Sequence, residues 1–71
     1  MKVRFDSRIY KLAAIRLAAQ AFDDLADIRV AKQGVEYVVT FENYDESLGE
    51  ELVHEFANHA LFHTIAMRGI K

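Results

Sequence analysis

The residues best spaced for chemistry are His59 and His63, four positions apart in SLGEELVHEFANHALFHTIAMRGIK, a stretch predicted to be helical. On a helix this spacing places two imidazoles on one face, where both can bind one metal ion. Glu55 precedes them by another four positions, but no glutamate of the zinc-protease type stands between the histidines. Because a convincing third ligand is missing, we interpret the pair as partly buried, hydrogen-bonded histidines and predict no metal site.

The other groups capable of catalysis have simpler structural explanations. Ser7 falls in a predicted strand and Ser47 at a predicted helix start, so neither has the setting of an activated nucleophile. Asp23, Asp24 and Asp27 fit a solvated helix end better than an acid/base pair. The three glycines form no phosphate-binding loop, and so short a chain has little room for a substrate pocket. We therefore predict a protein that is not an enzyme and holds no cofactor.

The size and charge of the chain exclude further functional classes of protein. The 71 residues are enough for one domain, 1–71, with a core that is marginal without reinforcement. The absence of cysteine excludes disulfides and thiolate metal sites. A net charge of -2 offers no electrostatic footprint for nucleic acid or an acidic membrane. No apolar run has the length of a spanning helix or the place of a signal peptide. We expect a cytoplasmic, soluble protein that binds neither nucleic acid nor membrane.

The first half of the chain changes its hydrophobic period once. Alternation of apolar and polar residues from Lys2 to Tyr10 predicts a strand with one buried side. A helix that begins at Ser7 is the rival interpretation, because Ser is a good N-cap. Apolar residues at helical spacing then predict a helix over 11–26, with Leu25 on its apolar arc.

Two further strands, 28–32 and 35–42, are predicted on either side of Gln33-Gly34, a two-residue hairpin signal. The second of these strands is the richest in β-branched and aromatic residues, so we place it in the middle of the sheet.

The last predicted element is a helix over 47–68. Ser47 and Glu50 fit a capping box, Gly69 can take the left-handed position after the helix, and Ile70 can fold back onto it. The arc that faces the core is predicted to comprise Leu52, Val53, Phe56, Ala60 and Met67. The fold class is therefore α+β: a single β-α-β-β-α domain with a three-stranded, mainly antiparallel sheet and two helices packed on one face.

Three apolar residues of this helix, Leu61, Phe62 and Ile65, fall on the side opposite the core, next to His54 and Asn58. A cluster of exposed apolar residues usually marks an interaction surface. Either the first helix packs around this side and hides it, or a second copy or another partner binds there. We predict partner binding by Asn58, Leu61, Phe62 and Ile65.

Two segments of the chain, IYKLAAIRLAAQAFDDLADIRVAKQGVEYVVTF and LVHEFANHALFHTI, together resemble the HxsD-like family of His-Xaa-Ser peptide-modification systems. The residues that carry the resemblance are Tyr10, Ala18, Ala19, Phe22, Phe56, Asn58 and Phe62. The resemblance implies an accessory protein that acts beside radical SAM maturases and a His-Xaa-Ser repeat precursor. Its implied role is to bind a peptide or a maturase without catalysing the modification itself.

Two functional hypotheses follow. In the first, the chain is a small, non-catalytic binding module that engages the precursor peptide or the maturase. The peptide would add to an exposed strand edge, 2–10 or 28–32, or dock on the apolar side of the last helix. In the second, the chain is a structural homodimer that associates through Leu61, Phe62 and Ile65 without a peptide ligand.

Overall fold

The computed structural model describes residues 1–69 and confirms the β-α-β-β-α order and the α+β class. A short 3-10 turn, Glu46–Leu48, precedes the last helix. The elements are β1 (Lys2–Asp6), α1 (Leu12–Ala21), β2 (Asp27–Gln33), β3 (Glu36–Glu42) and α2 (Gly49–Gly69).

The sheet has the order β1-β3-β2, and both outer strands run antiparallel to β3. The prediction that β3 occupies the centre is confirmed. Val39 is paired with Val3 on one side and with Val30 on the other, so apolar residues of three strands meet on one face. Both helices pack on this face, and the core joins their buried residues to those of the strands.

The hairpin between β2 and β3 turns one residue later than predicted. Gln33 still pairs with Glu36, so the two-residue loop is Gly34-Val35 and not Gln33-Gly34. Gly34 has a φ of 62°. A glycine with positive φ at the first loop position is typical of the type II′ turn, whose twist suits antiparallel strands.

The predicted first strand over 2–10 is wrong beyond Asp6. The Asp6 carboxylate accepts the backbone N–H of Arg8 at 2.8 Å, and the Asp6 carbonyl accepts the N–H groups of Ile9 and Tyr10 at 3.0 and 2.9 Å. These local hydrogen bonds form in place of the backbone pairing that would extend β1 beyond Asp6. The rival helix from Ser7 is also wrong, because residues 7–10 form turns and α1 begins at Leu12.

The first helix is also shorter than predicted. It ends at Ala21, and the Leu25 N–H turns back to the Phe22 carbonyl at 3.0 Å. Three aspartates follow within six residues, where the helix dipole disfavours negative charge. Leu25 was expected on the apolar arc, but the early stop leaves it 54% exposed.

The start of α2 differs from the predicted capping box. Asp45 is the cap: its carboxylate accepts the backbone N–H of Ser47 at 3.0 Å and the Ser47 hydroxyl at 2.7 Å. Ser47 is therefore a donor at this turn and not the N-cap. Gly49 opens α2 because the Tyr44 ring lies against it, and a Cβ atom there would come within 3.0 Å of Tyr44 Cε2. At the other end α2 extends through Gly69, and the predicted contact of Ile70 lies outside the described residues.

The inner face of α2 fills the centre of the core. Phe56 is fully buried, and its ring centroid lies 5.1 Å from that of Phe41, 5.8 Å from Phe5 and 6.0 Å from Phe22. Leu52 and Ala60 are buried as predicted, while Val53 and Met67 are half-buried. Among residues 1–69, no helix combines the length and apolar character needed to cross a membrane.

Candidate partner-binding surface

Two polar contacts hold the C-terminal half of α2 against the segment between β1 and α1. The Lys11 N–H donates to Thr64 Oγ1 at 3.2 Å, and Thr64 is almost completely buried. Arg68 Nη2 donates to the carbonyls of Arg8 and Ile9, at 3.1 and 2.8 Å. The last turns of α2 therefore extend beyond the sheet and pack on residues 7–11. Thr64 was not among the residues predicted to face the core, although its spacing four residues after buried Ala60 indicates that position.

The side of α2 opposite the core carries exposed apolar residues. Phe62 is 67% exposed and Ile65 is 60% exposed, while Leu61 and Asn58 also reach solvent. Because these positions are three and four residues apart, they are neighbours on one helical face. We call Asn58, Leu61, Phe62 and Ile65 the outer patch. The alternative in which α1 hides these residues is wrong, because Leu61, Phe62 and Ile65 all remain exposed.

The outer patch lies in an uncharged stretch of helix. Residues 56–67, FANHALFHTIAM, contain no Asp, Glu, Lys or Arg. An amphipathic surface helix usually carries charged residues opposite its buried face. The outer face of α2 is consequently both apolar and without formal charge over three turns.

The histidine pair lies between α1 and the outer patch. His59 Nε2 and His63 Nε2 are 3.0 Å apart, so one ring donates a hydrogen bond and the other accepts it. Both rings are half-buried. The His59 ring meets that of Phe22, the residue directly after α1, edge-on at 5.7 Å, and the His63 ring meets Phe62 at 5.3 Å. The two imidazoles therefore complete a row of rings that leads from α1 to Phe62.

A metal ion would find few ligands at this pair. Within residues 1–69, no group of three or more His, Cys, Asp or Glu side chains is placed to hold one. The geometry offers two imidazole nitrogens that already contact each other.

The sheet offers a second kind of docking surface at its two outer strands. Met1 and Phe41 exchange backbone hydrogen bonds, at 2.8 and 3.1 Å. Because the direction of backbone groups alternates along antiparallel strands, β1 turns those of Lys2 and Arg4 away from β3. The same alternation across the β2–β3 register turns the backbone groups of Ile28, Val30 and Lys32 outward.

Three of the groups considered for catalysis, Ser7, Ser47 and Asp27, make structural hydrogen bonds. Ser7 donates its hydroxyl to the Val35 carbonyl at 2.7 Å, and Ser47 donates to Asp45. Asp27 accepts the side-chain amide of Asn43 at 2.6 Å, at the point where Asn43 takes a φ of 55° after β3. Hydrogen bonds from Ser47 hold the pKa of the Asp45 carboxyl below its usual range.

Comparisons with known proteins identify one relationship. The family model described as His-Xaa-Ser system protein HxsD matches residues 5–67, which run from β1 almost to the end of α2. No curated protein and no solved structure has a significant match to the chain.

Proposed function

The chain belongs to the HxsD family of His-Xaa-Ser system proteins, and from this premise we propose that it is a non-catalytic module that binds a partner through the outer patch. The partner is the precursor peptide of the system or the radical SAM maturase that modifies it. The observation that carries this proposal is the exposure of Phe62 and Ile65 on an uncharged helical face.

The physical support comes from the energetics of association. Burial of apolar area contributes about 25 cal/mol per Å² of stabilisation, and aromatic side chains are common among the residues that dominate binding. Thr64 and Arg68 fix the helix that carries the outer patch, so little ordering of the backbone is needed on binding. An amphipathic helix or an extended segment of the partner would cover this face.

The second candidate function is a structural homodimer without a peptide ligand. A face without formal charge would not repel a second copy of itself, and two-fold packing of α2 on α2 would bury Phe62 in both copies. A stable interface buries roughly 800 Å² on each partner, which is more than four side chains supply. A dimer would therefore have to extend beyond the outer patch.

Substitution of Phe62 by Asp tests both candidates. The measurements are sedimentation velocity, and the affinity for the maturase and the precursor peptide of the same system. We expect Phe62→Asp to weaken binding of one of these two proteins by about 30-fold or more, as at interface residues worth 2 kcal/mol. Leu17→Asp is the matched control, because Leu17 is also exposed but lies on α1. If Phe62→Asp changes neither oligomeric state nor partner affinity, the outer patch is not the binding surface.

The same measurements separate the candidates. A wild-type dimer that Phe62→Asp converts to a monomer, with no affinity for peptide or maturase in either form, would establish the homodimer. Backbone amide shifts confined to β1 or β2 on addition of the precursor peptide would instead establish strand addition.

A further inference from the structure

An apolar groove lies beside the N-terminal half of α2, away from the outer patch. Its cavity has a volume of about 210 Å³. Buried Leu52 and the rings of Phe22 and Tyr44 form its inner surface. Leu25 and Leu48 flank it and are 54% and 48% exposed. Leu25 and Leu48 therefore remain about half exposed where the early end of α1 leaves space.

Carboxylates surround this apolar surface. Asp45, Glu51 and Glu55 line the groove, and no Lys or Arg among residues 1–69 does. The segments 22–27 and 44–55, which form this end of the molecule, contain eight of the 11 acidic residues of the chain and no basic residue other than His54. We call the apolar groove, together with the carboxylates that line it, the acidic groove.

The three carboxylates that line the acidic groove form no ion pair within the described residues. Across 1–69, the three ion pairs are those of Arg4 with Glu36, Arg8 with Asp6, and Arg29 with Glu42. None of the three includes a carboxylate that lines the groove, although Arg29 adjoins Asp23 and Asp27 beside it.

The needs of the fold account for only some of the acidic residues at this end of the molecule. The dipole of α2 favours Glu51 in its first turn, and Asp45 caps the preceding turn. Glu55 lies beyond the first turn, and Asp23 and Asp24 follow the C-terminal end of α1, where the dipole disfavours them. Repulsion among like charges opposes folding here, so a binding partner of opposite charge is the simplest reason for the arrangement.

We infer that the acidic groove is a docking site for a basic, apolar peptide segment of another protein. One large apolar side chain of the segment enters between Leu25 and Leu48, and flanking Lys or Arg side chains reach Glu51 and Glu55. The cavity is smaller than the roughly 300–1,000 Å³ of small-molecule sites, which fits a single side chain better than a whole metabolite. This site goes beyond the proposed function, because it requires neither the outer patch nor a particular partner.

The acidic groove and the outer patch are connected. Phe22 lines the groove and contacts His59, which contacts His63 at 4.5 Å between ring centroids, and His63 contacts Phe62. Along α2, Glu51 and Phe62 are about 16 Å apart at the helical rise of 1.5 Å per residue. About five extended residues span that distance, so one partner segment can reach both sites.

A pair of synthetic peptides tests the inference. The probe is a capped ten-residue peptide with a central Phe-Leu pair and two lysines on each side, and the control peptide has glutamate in place of each lysine. Titration into the isotope-labelled protein is followed by amide NMR shifts. We expect the lysine peptide to shift amides around Leu25, Leu48 and Glu51, with an affinity that falls as salt is added. The glutamate peptide should cause no such shifts.

Charge removal inside and outside the groove provides the matched variants. The double variant Glu51→Gln/Glu55→Gln should weaken the lysine peptide roughly tenfold, from the loss of two surface charge pairs. Glu50→Gln should change the affinity less than about twofold, because Glu50 neighbours Glu51 but does not line the groove. Dispersed amide spectra confirm that these exposed substitutions leave the fold intact.

Several outcomes would overturn the inference. They are equal binding of both peptides, no shifts with millimolar lysine peptide, shifts confined to the outer patch, and unchanged affinity in the double variant. The proposed function is tested separately, because Phe62→Asp should bind the lysine peptide as the wild type does.

Discussion

The inner and outer faces of α2 carry the same residue type in opposite settings. Phe56 is fully buried and touches three other phenylalanines, whereas Phe62, six residues later, is mostly exposed and contacts the ring of His63. The inner face explains why the chain folds. The outer face contributes little to the fold, so its apolar character needs another explanation, and the proposed association with a partner would supply one.

The largest contrast between the two faces is expected from truncation of these two phenylalanines. Phe56→Ala removes the centre of the core and should lower the free energy of unfolding by about 3–5 kcal/mol. Phe62→Ala should change it by less than about 0.5 kcal/mol, as at an ordinary surface site. Urea unfolding followed by circular dichroism measures both. A comparable loss in both variants would mean that the outer face stabilises the monomer.

Thr64 offers a second test, because it is a polar residue on the inner face. Thr64→Val keeps the shape of the side chain but removes the acceptor of the Lys11 N–H. A buried donor left without a partner costs about 1–3 kcal/mol, so we expect a loss of about 1 kcal/mol in urea unfolding. The control is Thr40→Val on β3, which should be neutral or slightly stabilising, since Val favours strands. If Thr64→Val is as stable as the wild type, the bond to Lys11 is not needed to hold α2.

Periodicity predicted the inner face and the central strand but not the ends of the elements. The spacing of Leu52, Phe56 and Ala60 reports burial directly, because side-chain direction follows the backbone period. In β3 the alternation is less informative, since Val38 is buried although it lies on the face opposite Val39. The ends depend on side-chain bonds that compete with the regular pattern. Asp6 bonds to Arg8 and stops β1, and Asp45 bonds to Ser47 and replaces the expected capping box.

The candidate sites differ in the same way. Leu61, Phe62 and Ile65 were predicted to lie opposite the core from helical spacing alone, and they do, but partner binding there stays a prediction. The acidic groove could not be predicted, because it joins the turn after α1 to the start of α2. The groove exists because α1 ends at Ala21 and leaves Leu25 exposed, and the helical spacing of residues 11–26 did not predict that early end.

Arg68 tests how firmly the outer face is held in place. Arg68→Ala removes two hydrogen bonds to the carbonyls of Arg8 and Ile9. Because both groups are exposed, we expect a loss of only about 0.5–1 kcal/mol. Amide hydrogen exchange over 8–11 and 62–68 should accelerate, while exchange at Val39 in the central strand should not change. Uniform acceleration would indicate that the whole domain, and not the last turns of α2, depends on Arg68.

The smallest effect is expected from the protonation of two carboxyls outside α2, those of Asp6 and Asp45. Hydrogen bonds from Arg8 hold the pKa of the Asp6 carboxyl below its usual range, and those from Ser47 do the same for Asp45. A carboxyl with a lowered pKa in the folded state stabilises the protein above its unfolded pKa, about 3.9, and the gain disappears as the pH falls through the folded pKa. Urea midpoints should therefore decrease slightly between pH 5 and pH 3. Asp45→Asn should reduce this decrease, whereas Phe62→Ala should leave it unchanged. If Phe62→Ala altered the acid response, the outer face would be coupled to the start of α2, and the two regions could not be treated as independent.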